Sequence, residues 1–220
     1  MNELSPPPGQ GRGRFRVTYD DRLRASEWEV RPAVAADARA LIAAAHYAKG
    51  ASNTYCYLHG LFRKECETLF GVAWWLPPTR VAAESVNRKH WTRVLALSRL
   101  VVAPGVPKNA ASFLLSRSVK LIKAEGRFVS LVTYADTQQK HTGGIYRAAN
   151  WNYVGLTKPS PVWVDDAGKR VARKATRSRS NAQMLEAGYT HLGNFPKHKF
   201  TLHLPISVLT PDTPTEGPFA

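Results

Sequence analysis

Val94-Leu95-Ala96-Leu97-Ser98-Arg99-Leu100-Val101-Val102 is an apolar run interrupted by a single charge. It leads into the loop Ala103-Pro104-Gly105-Val106-Pro107-Lys108 and then a helix-forming stretch from Ala110 to Glu125. A continuous run of aliphatic residues reads as a strand buried on both faces. In the stretch after the loop, Ala111, Leu114, Leu115, Val119 and Ile122 recur on one helical face. Asn109 stands where a cap is needed, and Gly126 stops the helix. Strand, loop and helix in this order predict an α/β architecture. The free amides of the helix start then face a gap beside the strand end, where ligands bind in such sheets.

The flanking sequence continues the alternation. Residues 28–31 predict a first strand, and Pro32 opens a helix with Asp37 in its first turns and an alanine-rich body over 38–47. Gly50 is its stop, so His46 and Tyr47 fall where the helix runs out. The apolar run 69–76, closed by Pro77-Pro78, predicts another buried strand. Further strands are expected at 128–134, 151–154 and 199–204, with a short helix around 144–149 between the first two. Residues 1–13 and 208–220 are rich in Pro, Gly and Thr and are expected to be disordered tails around a single domain, 14–207.

Lys plus Arg number 31 against 16 Asp plus Glu, a formal charge of +15. Such an excess favours a polyanionic partner, because each neutralised phosphate releases counterions. The cations concentrate in Asp165-Asp166-Ala167-Gly168-Lys169-Arg170-Val171-Ala172-Arg173-Lys174-Ala175-Thr176-Arg177-Ser178-Arg179. Lys169, Arg170, Arg173, Lys174, Arg177 and Arg179 are the expected phosphate contacts; a solvated charge run is the alternative. No apolar run reaches the ~18–20 residues of a membrane span, so no membrane partner is expected. The two cysteines, Cys56 and Cys66, make no disulfide framework and suit a reducing cytoplasm, the expected location. G-x-S-x-G, G-x-x-x-x-G-K-[ST] and G-x-G-x-x-G are all absent, which argues against hydrolase, NTPase and dehydrogenase chemistry.

Four places carry candidate chemistry. Arg99 is a cation inside an apolar strand and needs a ligand, a carboxylate partner or a route to water. Asp136, in Tyr134-Ala135-Asp136-Thr137, follows a strand directly; it is either a cleft carboxylate or a turn residue. Tyr146, in Gly143-Gly144-Ile145-Tyr146-Arg147-Ala148-Ala149-Asn150-Trp151, is either a proton donor or a packing residue. His46 and Tyr47, with His59 downstream, offer imidazole and phenol to a metal, or simply a charge on the helix dipole.

The ordered set His46-Tyr47, Leu97-Ser98-Arg99-Leu100, the Asn109-Ala110-Ala111-Ser112-Phe113-Leu114-Leu115 stretch, Tyr134-Ala135-Asp136 and Gly144-Ile145-Tyr146 is similar to the phage Mom family, over about residues 40–155. The resemblance implies a GNAT-like (acetyltransferase-type) fold with a mixed, largely antiparallel central sheet and flanking helices. It implies an enzyme, phage- or prophage-encoded, that converts adenine in double-stranded DNA to the N6-methylcarbamoyl (acetamido-type) base and so protects the DNA from host restriction. His46, Tyr47, Arg99, Asp136 and Tyr146 would then be catalytic, with His46 and Tyr47 at an Fe(II) ion. Val101, Val102, Asn109 and Ser112 would hold a donor, acetyl-CoA or another small molecule. The loop 103–109 lacks the glycine-rich pyrophosphate cradle usual in acetyltransferases, which puts CoA itself in question. The competing readings are an N-acetyltransferase acting on a protein or small amine, and a basic DNA-binding module without catalysis. Both a monomer and a homodimer are compatible with the sequence.

Overall fold

The computed structural model describes residues 22–171, 176 and 178–205. The expected tails 1–13 and 208–220, the margins 14–21 and 206–207, and Arg173, Lys174 and Arg177 of the cationic run lie outside the described residues.

The elements in chain order are β1 (Trp28–Pro32), α1 (Ala35–Ala45), β2 (Tyr57–Arg63), β3 (Gly71–Leu76), α2 (Arg80–Glu84), β4 (Val94–Val102), α3 (Ala110–Glu125), β5 (Ser130–Asp136), α4 (Gly144–Ala148), β6 (Asn152–Leu156), β7 (Ser160–Val164), α5 (Asn181–Glu186), β8 (Thr190–Phe195) and β9 (Lys197–His203). Seven strands pair in the order β1-β2-β3-β4-β5-β9-β6, and β7 and β8 form a separate two-stranded ribbon. β4 and β5 run parallel. The β1/β2, β2/β3, β5/β9 and β6/β9 pairs are antiparallel. The sheet is therefore mixed and largely antiparallel, as expected. The chain divides into two compact units, Met1–Leu76 with Ser98–Ile122 and Pro77–Leu97 with Lys123–Ala220, so β4 changes unit between Leu97 and Ser98.

In the first unit, Ala38 and Ile42 of α1 bury against Leu58, Val72, Trp74 and Val101. The strand period of two sends alternate residues to the opposite side. There Ser118 of α3 accepts a hydrogen bond from the Trp75 indole at 2.7 Å and shares another with His59 Nδ1 at 2.7 Å. All three residues are buried. Ser118→Ala takes one oxygen away from two buried rings, so a loss of about 2 kcal/mol is expected in urea unfolding. A variant as stable as the wild type would show that the shared oxygen contributes nothing.

Two local expectations change. Pro32 ends β1 instead of opening α1, because its backbone pairs with His59 of β2. Asn109 does not cap α3 with its side chain. Its carboxamide clamps the backbone of Leu23, accepting from the Leu23 amide at 2.7 Å and donating to its carbonyl at 3.4 Å.

In the second unit, Ala83 of α2 buries with Val94, Ala96 and Val132, and Val86, Trp91 and Tyr134 pack against them. The opposite face of β5 carries Thr133 and Ala135 by strand alternation. Tyr146 of α4 lies on that side, hydrogen-bonded to the Thr133 side chain. Its ring packs beside Phe200 and Trp151 at centroid separations of 5.3 and 5.7 Å. Among the described residues, no helix is long and apolar enough to cross a membrane.

Candidate active site

In the first unit, α1 ends at Ala45, and His46 is its C-cap. The His46 Nδ1 accepts the Ala48 amide at 3.0 Å. A neutral His46 therefore carries its proton on Nε2. Tyr47, 37% exposed, stacks on the imidazole at 4.4 Å between ring centroids. Lys49 takes a positive φ of 48°, and the chain reverses. This turn presents the Gly50 carbonyl to Arg99, whose Nε donates to it at 2.9 Å while Nη1 donates to the Ser98 carbonyl at 2.7 Å. The half-buried cation of β4 is thus answered by backbone dipoles. The structure joins Arg99 to the His46–Tyr47 turn, as two carbonyls and a planar fork of donors allow.

At the start of α3, Arg22, Lys108, Asn109 and Ser112 line a cleft of about 520 Å³. Ser112 spends its hydroxyl proton on the Asn109 carbonyl at 2.9 Å. Two cations at a helix start favour an anionic ligand. Asn109 and Ser112 are among the expected donor residues, whereas Arg22 and Lys108 are not. Lys108 was legible as the neighbour of Asn109. Arg22 was not, because the Asn109 clamp on Leu23 brings it there. Val101 and Val102 do not line this cleft. Val101 is buried with Ile42 and Trp74, and Val102 lies against the backbone of Gly71.

The iron expectation at His46 and Tyr47 is not supported. Among the described residues no group of three or more His, Cys, Asp or Glu side chains is placed to hold a metal ion. His46 Nδ1 is engaged with Ala48, and His59 bonds to Ser118.

In the second unit, Asp136 ends β5 at 1% exposure. Its Oδ1 accepts the Gln138 amide at 3.1 Å, and its Oδ2 accepts Arg170 Nη1 at 2.7 Å with Lys197 Nζ at 3.6 Å. Burial pushes this carboxyl up. The Arg170 hydrogen bond and the Lys197 and Arg170 charges outweigh it and hold the group below its usual range. Asp136 shares the α2 side of β5 with Val132 and Tyr134, whereas Tyr146 bonds to Thr133 on the other side. The structure does not bring these two residues together. Burial pushes the Tyr146 phenol up, so it stays protonated at neutral pH. Of the expected phosphate contacts that are described, Lys169 and Arg179 are exposed and Arg170 points at Asp136.

This arrangement of strands and helices is that of the acetyltransferases. The structure of Arabidopsis thaliana NAA60 in complex with a bisubstrate analogue is similar with a TM-score of 0.52 and 11% identity, covering 82% of this chain and 99% of that one. The yncA protein of Salmonella typhimurium, solved with acetyl-CoA as its cofactor, is similar with a TM-score of 0.50 and 12% identity, covering 84% and 99%. At these identities the likeness is one of fold. A search of curated proteins finds no match. The sequence itself matches the Mom protein family over residues 27–216, nearly its whole length, and the chain belongs to that family.

Proposed function

We propose that this protein is a transferase that modifies the N6 amine of adenine in duplex DNA, giving the methylcarbamoyl (acetamido-type) base, from an anionic small-molecule donor whose transferred group already contains the nitrogen that a plain acetyl group lacks. The observation that carries the reading is the family match over 27–216 in a chain of net charge +15. A DNA substrate accounts for that charge, and the anion-suited cleft at the start of α3 accounts for the donor.

The residues divide the work by their chemistry. Arg22 and Lys108 hold the negative charge of the donor, together with the first amides of α3. Adenine N6 is a weak nucleophile because its lone pair is delocalised into the ring, so orientation and charge stabilisation dominate the barrier. Arg99 fixes the His46–Tyr47 turn and contributes the fixed positive charge that stabilises developing negative charge. His46 has an Nε2 proton to give to the leaving group. Asp136 is saturated by two cations and is assigned no proton transfer. A base in a duplex must be extruded to be reached.

Mass spectrometry of nucleosides from the DNA of expressing cells tests the reading. Wild-type protein is expected to yield modified adenine, and Arg99→Ala about 100-fold less, the scale for losing one preorganised donor. Unmodified DNA from wild-type cells, with acetylated protein or small amines instead, would overturn it in favour of an ordinary N-acetyltransferase.

A further inference from the structure

The connection between β7 and β8 begins as a tight, self-bonded turn. Asp165 accepts the Lys169 amide on its side chain at 2.8 Å, its own amide donates to the Lys169 carbonyl at 3.0 Å, and Gly168 donates to the Asp165 carbonyl at 2.8 Å. Arg170 pairs with Val164, and Val171 donates to the carbonyl of buried Trp163. Successive residues of such a paired segment point to opposite sides. Lys169 is accordingly exposed, while Arg170 reaches inward to a carboxylate at 1% exposure. The buried carboxylate is thus paired by a cation carried on a surface turn. Arg170 ties this turn to β5, and Lys197 of β9 supplies the second positive charge.

We propose that Asp136 is a positioning residue for DNA binding: through Arg170 it fixes the 165–171 turn, so that Lys169 is held outward against the phosphate backbone. The proposal rests on the DNA reading above and deepens it. Asp136 then acts on the affinity for DNA and not on the transfer step. An ion pair this buried has fixed geometry, and a preorganised cation loses less entropy on binding than one on a loose loop.

The test uses the full chain, a fluorescent duplex, and the variants Asp136→Asn, Arg170→Met, Arg170→Lys and Lys169→Ala, with Lys120→Ala on α3 as the control. Asp136→Asn and Arg170→Met are expected to weaken duplex binding about tenfold and to speed tryptic cleavage after Lys169. The slope of log affinity against log salt should fall by about one, the value for one lost phosphate contact. Lys169→Ala should match them in affinity and slope. Arg170→Lys, which keeps a cation for Asp136, should recover most of the affinity, and Lys120→Ala should bind as wild type. In modification assays KM for DNA should rise while kcat at saturating DNA stays within twofold. Arg170→Met changes a partly exposed side chain, so it keeps the test decisive should Asp136→Asn fold poorly. Wild-type affinity in Asp136→Asn and Arg170→Met, or a fall in kcat with unchanged affinity, would overturn the positioning role alone. Absence of duplex binding by the wild-type protein would instead overturn the functional reading on which it stands.

Discussion

Gly143→Ala is expected to cost about 3–4 kcal/mol, of which about 1–2 comes from a left-handed backbone and the rest from overpacking. Gly143 has φ 75° and is the N-cap of α4. A β-carbon built there overlaps the ring of Phe200. That ring is fully buried and sits between Tyr146 and Tyr153 at centroid separations of 5.3 and 5.2 Å. With a tyrosine ring on two sides, a shift of this ring presses on Tyr146. Urea unfolding followed by tryptophan fluorescence measures the loss. The double variant Gly143→Ala with Phe200→Leu should recover part of it by opening space. A loss under about 1 kcal/mol in the single variant would mean that the ring relaxes freely and that Tyr146 is not fixed by packing.

What was legible in the sequence follows from how burial writes itself. β3, β4 and β5 are covered on both faces and so show continuous apolar runs. β2 is not legible because His59 and Gly60 break its run. The histidine is tolerated because Ser118 satisfies it, and the glycine because Phe62, Leu69 and Ala33 close over the missing side chain. The β7–β8 ribbon is not legible either. Its strands are separated by residues 165–189, and Pro161 weakens the first as a strand signal.

The site was legible as types of residue and not as partnerships. Arg99 stands out as a charge in an apolar run, but two of the groups that answer it are backbone carbonyls, those of Gly50 and Ser98, which no residue letter encodes. Asp136 stood out at a strand end. Its counterions, Arg170 and Lys197, come from later elements that only the β5/β9 register and the β7 turn bring close. By composition the cationic run looks uniform. The fold gives Arg170 to a carboxylate and leaves Lys169 outward, a division set by strand alternation that composition cannot show.

Asp136→Ala is expected to destabilise the second unit by about 3–5 kcal/mol at pH 7, the cost of removing one partner of a buried ion pair and leaving the other charge uncompensated. Arg170, at 27% exposure, can turn partly toward water, which places the loss at the lower end of that range. The sign of the pH dependence follows from the direction of the shift. The folded carboxyl lies below its ordinary value of 3.8, so its contribution is fully present above about pH 5 and is lost as pH falls through the depressed folded value. The gap between wild type and Asp136→Ala should be constant from pH 8 to about pH 5 and should narrow only below about pH 4. Denaturant midpoints at pH 7, 5 and 3 give the measurement. A gap that widened between pH 7 and 5 would mean a folded carboxyl titrating near neutrality, as a general base does. Asp136 would then return to the proton-transfer chemistry from which its two cations remove it.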